Sequence, residues 1–209
     1  MGKWKIDLRK IAAESRETLL NPRQYFSATP LAGGFEEPVV KAVVYGTVAG
    51  LFGLLWDLTG FNSMGVGPWG TSNGIMVLIW SLVSAVIGLF IGGAIVWLIS
   101  HICGGNREYE ASVRVAASVM VVYPINAFLA FFYAISLTLG GLAALFVNLF
   151  SLYLLYIAVQ AALKGRESSM RIVVIVLGIL AVMAFFGARK AGKQVDEIHD
   201  MFQEEQIDQ

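Results

Sequence analysis

Charged residues are scarce in this 209-residue chain, and two long stretches lack them completely. Asp, Glu, Lys and Arg make up 14% of the sequence, against roughly a quarter in a soluble domain. None of the four occurs in 58–106 or in 115–163, two stretches of 49 residues each. Apolar residues make up 57% of the chain, which excludes a disordered protein. Uncharged stretches of this length are typical of a chain inside a bilayer, so the sequence predicts an all-α integral membrane protein.

Cysteine and histidine are nearly absent as well, which limits metal and redox chemistry. Cys103 is the single cysteine, so the chain can form neither an internal disulfide nor a paired-cysteine metal site. The two histidines, His101 and His199, are too few for a His-rich metal site. The 15 basic and 15 acidic residues cancel, so no overall positive field attracts nucleic acid. We therefore expect no metal, no cofactor and no nucleic-acid partner.

Five apolar segments are long enough to cross a bilayer, which takes about 20 mostly apolar residues in a helix. In chain order these segments are 38–56, 74–100, 113–135, 142–163 and 172–187. The predicted fold is a five-transmembrane-helix bundle over 38–187, between an N-terminal segment, 1–37, and a polar C-terminal tail, 188–209. The first segment is short, because Lys41 and Asp57 leave only 15 residues between them, unless the Lys41 side chain extends to the lipid headgroups.

The basic residues are distributed unevenly between the two ends of the predicted bundle. Twelve of the 15 precede or begin the first segment or lie in the second and fourth loops. They are Lys3, Lys5, Arg9, Lys10, Arg16, Arg23, Lys41, Arg107, Arg114, Lys164, Arg166 and Arg171. Because cytoplasmic loops carry the excess of Lys and Arg, this predicts a cytoplasmic N-terminus and an outside C-terminus. Arg189, Lys190 and Lys193 are discordant with that orientation.

The two ends of the chain have helical patterns of their own. Apolar or small residues recur every three to four positions from Trp4 through Ile11 to Leu19, with charges between them. A short amphipathic helix of this kind either lies in the cytoplasmic membrane interface or packs on the bundle as a solvated helix. Pro22 after Asn21 is typical of a second helix start, which would put Tyr25 and Phe26 at the headgroup level. The acidic tail is predicted to form a polar helix, either solvated or partner-binding.

No catalytic motif occurs, and no ionisable residue lies deep in a span, so we expect a protein that is not an enzyme. The polar side chains within the spans are few. Asn126, Asn148 and Gln160 either bond across helices or line a cavity. Pro124 should kink the third span and leave a backbone carbonyl without its helical hydrogen bond. Tyr123 and Asn126 either donate a hydrogen bond to that carbonyl or line a cleft.

Small residues recur four positions apart in three of the predicted spans, a spacing that lets helices approach closely. The three sets are Gly46 and Gly50; Ser84, Gly88 and Gly92; and Gly140, Ala144 and Asn148. The pattern favours packing within the molecule over a dimer face.

The order of several motifs resembles a known family. Asn21-Pro22-Arg23 leads to Tyr25-Phe26, then to Gly33-Gly34 and to Glu36-Glu37-Pro38 at the start of the first span. Gly104-Gly105 and Arg114 then precede a span that contains Pro124. This order over about 21–187 resembles the prokaryotic branch of the YIP family, the Ypt/Rab-interacting multi-pass membrane proteins. The resemblance implies five spans, a cytoplasmic N-terminus, a prokaryotic inner membrane and a trafficking or scaffold-like role without established chemistry.

Two departures from the family pattern argue against small-GTPase binding. The tyrosine that family members often carry several residues before the proline of the third span is here Tyr123, directly beside the proline. The long N-terminal region of eukaryotic members is also missing. The expected partners are therefore the lipid bilayer and other membrane proteins or further copies of the chain.

Glu36 and Glu37 are the acids of greatest interest, since they stand at the mouth of the first span beside Pro38. Glu37 and Lys41 are spaced as a helical i,i+4 pair. Either acid could instead pair with Arg107 or Arg114 across the cytoplasmic face, as a structural clamp or as a partner-binding group.

Two functions fit this sequence. The first is a non-enzymatic bundle that organises membrane proteins or lipids. The alternative is a passive channel or carrier for a neutral or lipidic substrate, with the polar residues of the spans lining its cavity. The two are distinguished by whether Tyr123, Pro124, Asn126, Asn148 and Gln160 converge on one cavity or bond across packed interfaces.

Overall fold

A computed structural model describes residues 7–60 and 74–207, with side chains up to Gly187. Within those ranges the chain is helical and contains no strand. The helices are α1 Leu8–Leu20, α2 Pro22–Ala28, α3 Glu36–Leu58, α4 Gly74–Ile102, α5 Tyr109–Val119, α6 Val122–Leu129, α7 Phe132–Ile135, α8 Leu137–Ala161 and α9 Glu167–Ile207.

Among the described residues, five helical segments are long and apolar enough to span a membrane, which confirms the predicted five-span, all-α fold. They are Glu36–Leu58, Ile75–Ile102, Tyr109–Ile135, Leu137–Ala161 and Glu167–Gly187. The fourth begins at Leu137 instead of 142, because Ser136 is extended and its hydroxyl accepts the Thr138 N–H at 3.2 Å. The first spans 23 residues and includes Lys41, whose side chain is buried in the protein.

The third span is interrupted one turn before its proline. Pro124 has no N–H to donate to the carbonyl of Met120, four residues earlier, and its ring disfavours a helical hydrogen bond there. The backbone N–H of Tyr123 donates to that carbonyl instead, at 2.9 Å. The break between α5 and α6 therefore falls at Met120 and Val121, and the Asn126 side chain takes no part in it.

Glycine allows a close contact between α3 and α4. A Cβ at Gly46 would lie 2.7 Å from the Ala85 Cβ, and one at Gly50 would lie 3.1 Å from the Leu78 Cα. The Ser81 hydroxyl donates to the Gly46 carbonyl at 2.8 Å across the same contact. Packing within the molecule thus explains this small-residue set. The set on α4 differs, since a Cβ at Gly88 would meet nothing within 4 Å.

The two N-terminal helices pack on the bundle. Ile11 and Thr18 of α1 are buried, which agrees with the packed alternative for this helix, although the predicted stripe also includes Trp4, outside the described residues. Pro22 occupies the first position of α2, as its sequence indicates. Phe26 is fully buried in the core, and Tyr25 lies among charged side chains where α2 packs on the bundle. That the two residues lie at the headgroup level stays a prediction.

The loops at this end of the bundle are bonded to each other. The Asn106 N–H donates to the Leu163 carbonyl at 2.7 Å, and the Arg166 N–H donates to the Cys103 carbonyl at 2.9 Å. We call this the N-terminal end, because α3, α5 and α9 begin here and α4 and α8 end here. At the other end of the fifth span, the α9 backbone continues as a helix to Ile207.

Candidate functional site

The side chains of Glu37 and Arg114 meet at the N-terminal end of the bundle. Arg114 lies in α5 with 6% of its side chain exposed, and its Nη1 is 3.1 Å from Glu37 Oε2 in α3. The other carboxylate oxygen of Glu37 is 3.2 Å from Lys10 Nζ and 3.8 Å from Lys41 Nζ. Glu37 therefore joins the N-terminal helix α1 to α3 and α5.

Lys41 is a buried cation with several partners. Its Nζ lies 2.6 Å from Glu14 Oε2 of α1, and only 8% of its side chain is exposed. It also donates to Tyr25 Oη at 3.2 Å, and that hydroxyl is 3.0 Å from Ser118 Oγ. A buried ammonium group has to be paired or it loses its charge. The amphipathic helix α1 supplies the pairing carboxylate.

Glu110 binds the turn that precedes the first span. The backbone N–H groups of Gly33 and Gly34 donate to its Oε1 at 2.7 and 2.6 Å. The Arg114 guanidinium donates to the carbonyls of Pro30 and Gly34 from the same side. Both glycines have positive φ, and a Cβ at Gly33 would lie 2.7 Å from Arg114 Nη2. Because Gly33 has no Cβ and both glycines adopt positive φ, the turn can lie directly against Arg114.

We call these six groups the ionic cluster: Lys10, Glu14, Glu37, Lys41, Glu110 and Arg114. All of them except Glu110 line a cavity of about 360 Å³, and Glu17 of α1 lines it too. Three cations face three anions, so little unbalanced charge is left to attract a ligand. The hydrogen bond from Lys10 to Glu37 raises the pKa of Lys10 above its ordinary value. The geometry is that of a clamp joining α1, α3, α5 and the turn at 30–34.

The cluster includes some of the residues singled out in the sequence and omits others. Glu37, Arg114 and the buried Pro38 come together. Glu36 is exposed, and Arg107 is exposed with its backbone carbonyl bonded to Trp97. Neither forms an ion pair within the part of the chain that the structure describes. The sequence analysis missed Lys10, Glu14, Tyr25 and Glu110, although Lys10–Glu14 and Glu110–Arg114 have i,i+4 spacing.

A second site lies near the middle of the spanning helices, between α4, the α5–α6 break and α8. We call it the lateral groove: Ser84, Gly88 and Gly92 form one wall, and Tyr123, Asn126 and Asn148 face them. Its volume is about 390 Å³, and its remaining lining is apolar except for Ser151. Ile95 on its rim is 52% exposed, and Asn126 and Asn148 are exposed too, so the groove opens sideways toward the lipid.

The polar groups of the groove differ in their bonding. Tyr123 Oη lies 3.0 Å from Ser84 Oγ, so each hydroxyl is satisfied across the α4–α6 contact. Among the described residues, the side-chain amides of Asn126 and Asn148 have no hydrogen-bond partner. Gln160 lies elsewhere, in a pocket beside α2 at the N-terminal end. Pro124 does not line the groove.

Nothing in the described ranges resembles a metal site, since no three His, Cys, Asp or Glu side chains there come together as a set of ligands.

The fold and these two sites define a polytopic α-helical membrane protein whose N-terminal end is held together by ion pairs and hydrogen bonds. The family model described as the Yip1 domain matches residues 16–188, and the chain therefore belongs to the Yip1 family. This confirms the YIP resemblance of the sequence. No curated protein and no solved structure gives a significant match.

Proposed function

We propose that this Yip1-family protein is a non-enzymatic organiser of membrane proteins, which binds a transmembrane helix of a partner in the lateral groove. The observation that carries the proposal is the pair of unpartnered amides, Asn126 and Asn148, on one small-residue groove that opens to the lipid.

Lipid tails offer no hydrogen-bond partner, so an amide facing them is less stable than one bonded to another helix. Gly88 and Gly92 leave the α4 backbone accessible along the groove, which suits the close approach of a second helix. Each interhelical hydrogen bond to Asn126 or Asn148 contributes about 1 kcal/mol. Small residues and unpartnered amides thus occur together on one face.

The ionic cluster supports the same role by fixing the frame around the groove. It joins α1 and α3 to α5, whose C-terminal half forms part of the groove wall. A groove with fixed walls binds a partner helix without the entropic cost of ordering the protein first.

We further propose that the N-terminal end faces the cytoplasm, with the C-terminus outside a prokaryotic inner membrane. The described Lys and Arg side chains support this orientation, because they belong to α1, α2, the starts of α3, α5 and α9, and the two loops of that end. Basic residues are retained on the cytoplasmic side of a membrane.

A passive carrier for a lipidic substrate is the second candidate. It is favoured by the convergence of Tyr123, Asn126 and Asn148 on one cavity. The lateral opening would admit such a substrate from the membrane, so it does not separate the carrier from the organiser.

Photo-cross-linking in native membranes tests the two candidates. A photoreactive residue replaces Ile95, on the rim of the groove, or Ile91, an exposed isoleucine of α4 outside it. We expect a discrete protein adduct from position 95 and none from position 91. The adduct from position 95 should disappear when Asn126 and Asn148 are both changed to leucine. Lipid adducts from position 95 that require the two amides would favour the carrier. Identical adducts from both positions would refute a specific occupant of the groove.

A further inference from the structure

We propose that the pocket between α2 and the α8–α9 junction binds the headgroup of an anionic phospholipid. The pocket is lined by Arg23, Gln24, Tyr153, Tyr156, Gln160 and Glu167, among others, and has a volume of about 820 Å³. It shares no residue with the lateral groove or with the groups of the ionic cluster.

The position of the pocket matches the level of lipid headgroups. α8 ends at Ala161 and α9 begins at Glu167, so the fourth and fifth spans leave the hydrocarbon core here. Tyr153 is 50% exposed on the outer face of α8, and Tyr156 lies one turn nearer the end of the helix. Tyrosines are enriched at this depth because the ring is apolar and the hydroxyl is polar. A lipid bound here would keep its acyl chains against α8.

The pocket holds a hydrogen-bond donor that the protein itself leaves unused. Gln160 Nε2 is buried and has no partner in the part of the chain that the structure describes. A buried donor without a partner is destabilising, and such groups call for a ligand or an ordered water. The phosphate oxygens of a lipid are strong acceptors and suit this donor.

The charges favour an anionic headgroup over a zwitterionic one. Arg23 is exposed and forms no ion pair with any described residue. Glu167 is already paired with Arg171 one turn along α9, so the pocket offers no free carboxylate to the amine of phosphatidylethanolamine. The two charged side chains of the described lining are Arg23 and Glu167, and Arg171, outside the lining, balances Glu167, so Arg23 is the charge that a ligand would meet. Basic pockets between helices on the cytoplasmic side are typical sites for anionic lipids.

The test is a titration of the purified full-length protein in detergent, with its melting temperature as the readout. The ligands are dioctanoyl phosphatidylglycerol, dioctanoyl phosphatidylethanolamine and inorganic phosphate. We expect a saturable rise in melting temperature with phosphatidylglycerol alone. An equal response to phosphatidylethanolamine, or reproduction of the rise by inorganic phosphate, would overturn the proposal.

Two variants and a matched control locate the binding. Arg23→Gln should weaken phosphatidylglycerol about fivefold, the effect of roughly 1 kcal/mol per basic side chain near an anionic surface. Gln160→Leu should weaken it too, yet should raise the melting temperature without lipid, because the unused buried donor is removed. Arg16→Gln removes an exposed arginine of α1 outside the pocket and should change neither value. Equal weakening by Arg16→Gln, or a melting temperature without lipid that falls in Gln160→Leu, would refute the assignment.

Discussion

Replacement of Arg114 by methionine would break the centre of the ionic cluster while keeping most of the side-chain volume. Arg114 Nη1 is 3.1 Å from Glu37 Oε2, and the guanidinium also donates to two carbonyls of the turn before α3. Removing one member of a fully buried ion pair costs about 3–5 kcal/mol, since the other charge is left without a partner.

The expected loss is smaller here, because water reaches part of the cluster. The Glu37 side chain is 33% exposed and keeps Lys10 as a partner. We therefore expect a loss of about 2–3 kcal/mol, between the values for surface and buried pairs. For a chain of this size that corresponds to a fall in melting temperature of about 4–12 °C.

The single cysteine provides the assay. Cys103 is fully buried, and burial raises the pKa of its thiol, so a thiol-reactive dye reaches it only on unfolding. Melting curves of the purified protein in detergent then report the N-terminal end of the bundle. Arg107→Met is the matched control, because Arg107 is exposed and forms no ion pair with the other described residues.

A double variant separates the ion pair from other effects of the substitution. Arg114→Met combined with Glu37→Gln should cost less than the sum of the two single changes, by about 0.5–3 kcal/mol. Additive losses, or an Arg114→Met protein that melts like the Arg107→Met control, would refute the clamp.

Two further predictions concern helix packing and topology. Gly46→Ala should lower the free energy of unfolding by about 1–3 kcal/mol, because the added Cβ would lie 2.7 Å from Ala85 Cβ. The control is Gly88→Ala, whose added Cβ would have nothing within 4 Å. It should leave the melting temperature unchanged or raise it. Equal losses in the two variants would contradict the packing of α3 on α4. A cysteine replacing Trp69, which lies between the first two spans in the sequence and outside the described residues, should react with an impermeant maleimide in intact Cys103→Ser cells. Labelling only after lysis would reverse the proposed orientation.

The positions of the five spans could be predicted from the sequence because the signal is local. Burial in a bilayer requires each span to be apolar along its whole length, and every residue contributes to that signal independently of its neighbours in space. Prolines 22 and 124 act locally as well: one begins α2 and the other displaces a helical hydrogen bond to Met120. The turn at Gly33 and Gly34 before the first span is also a local feature, so it could be identified from the sequence.

The members of the ionic cluster could not be predicted from the sequence alone, because the paired residues are distant along the chain. Lys41 at the start of a span suggested a side chain that extends to the headgroups, whereas Glu14 of α1 pairs with it inside the protein. The Glu37–Lys41 spacing was recognised, but the contact from Glu37 to Arg114 joins residues 77 positions apart, and nothing local distinguishes Arg114 from Arg107. Which cation is buried depends on how α5 packs against α3.

The sequence by itself determined that this chain is a five-span helical membrane protein, since hydropathy and chain length decide which segments enter a bilayer. The tertiary structure alone decided which polar groups share a site. Asn126 and Asn148 lie on one groove while Gln160 lies in a separate pocket beside α2. The physical reason is that helical periodicity gives the face of a side chain on its own helix, whereas the neighbour of that face depends on how the helices pack.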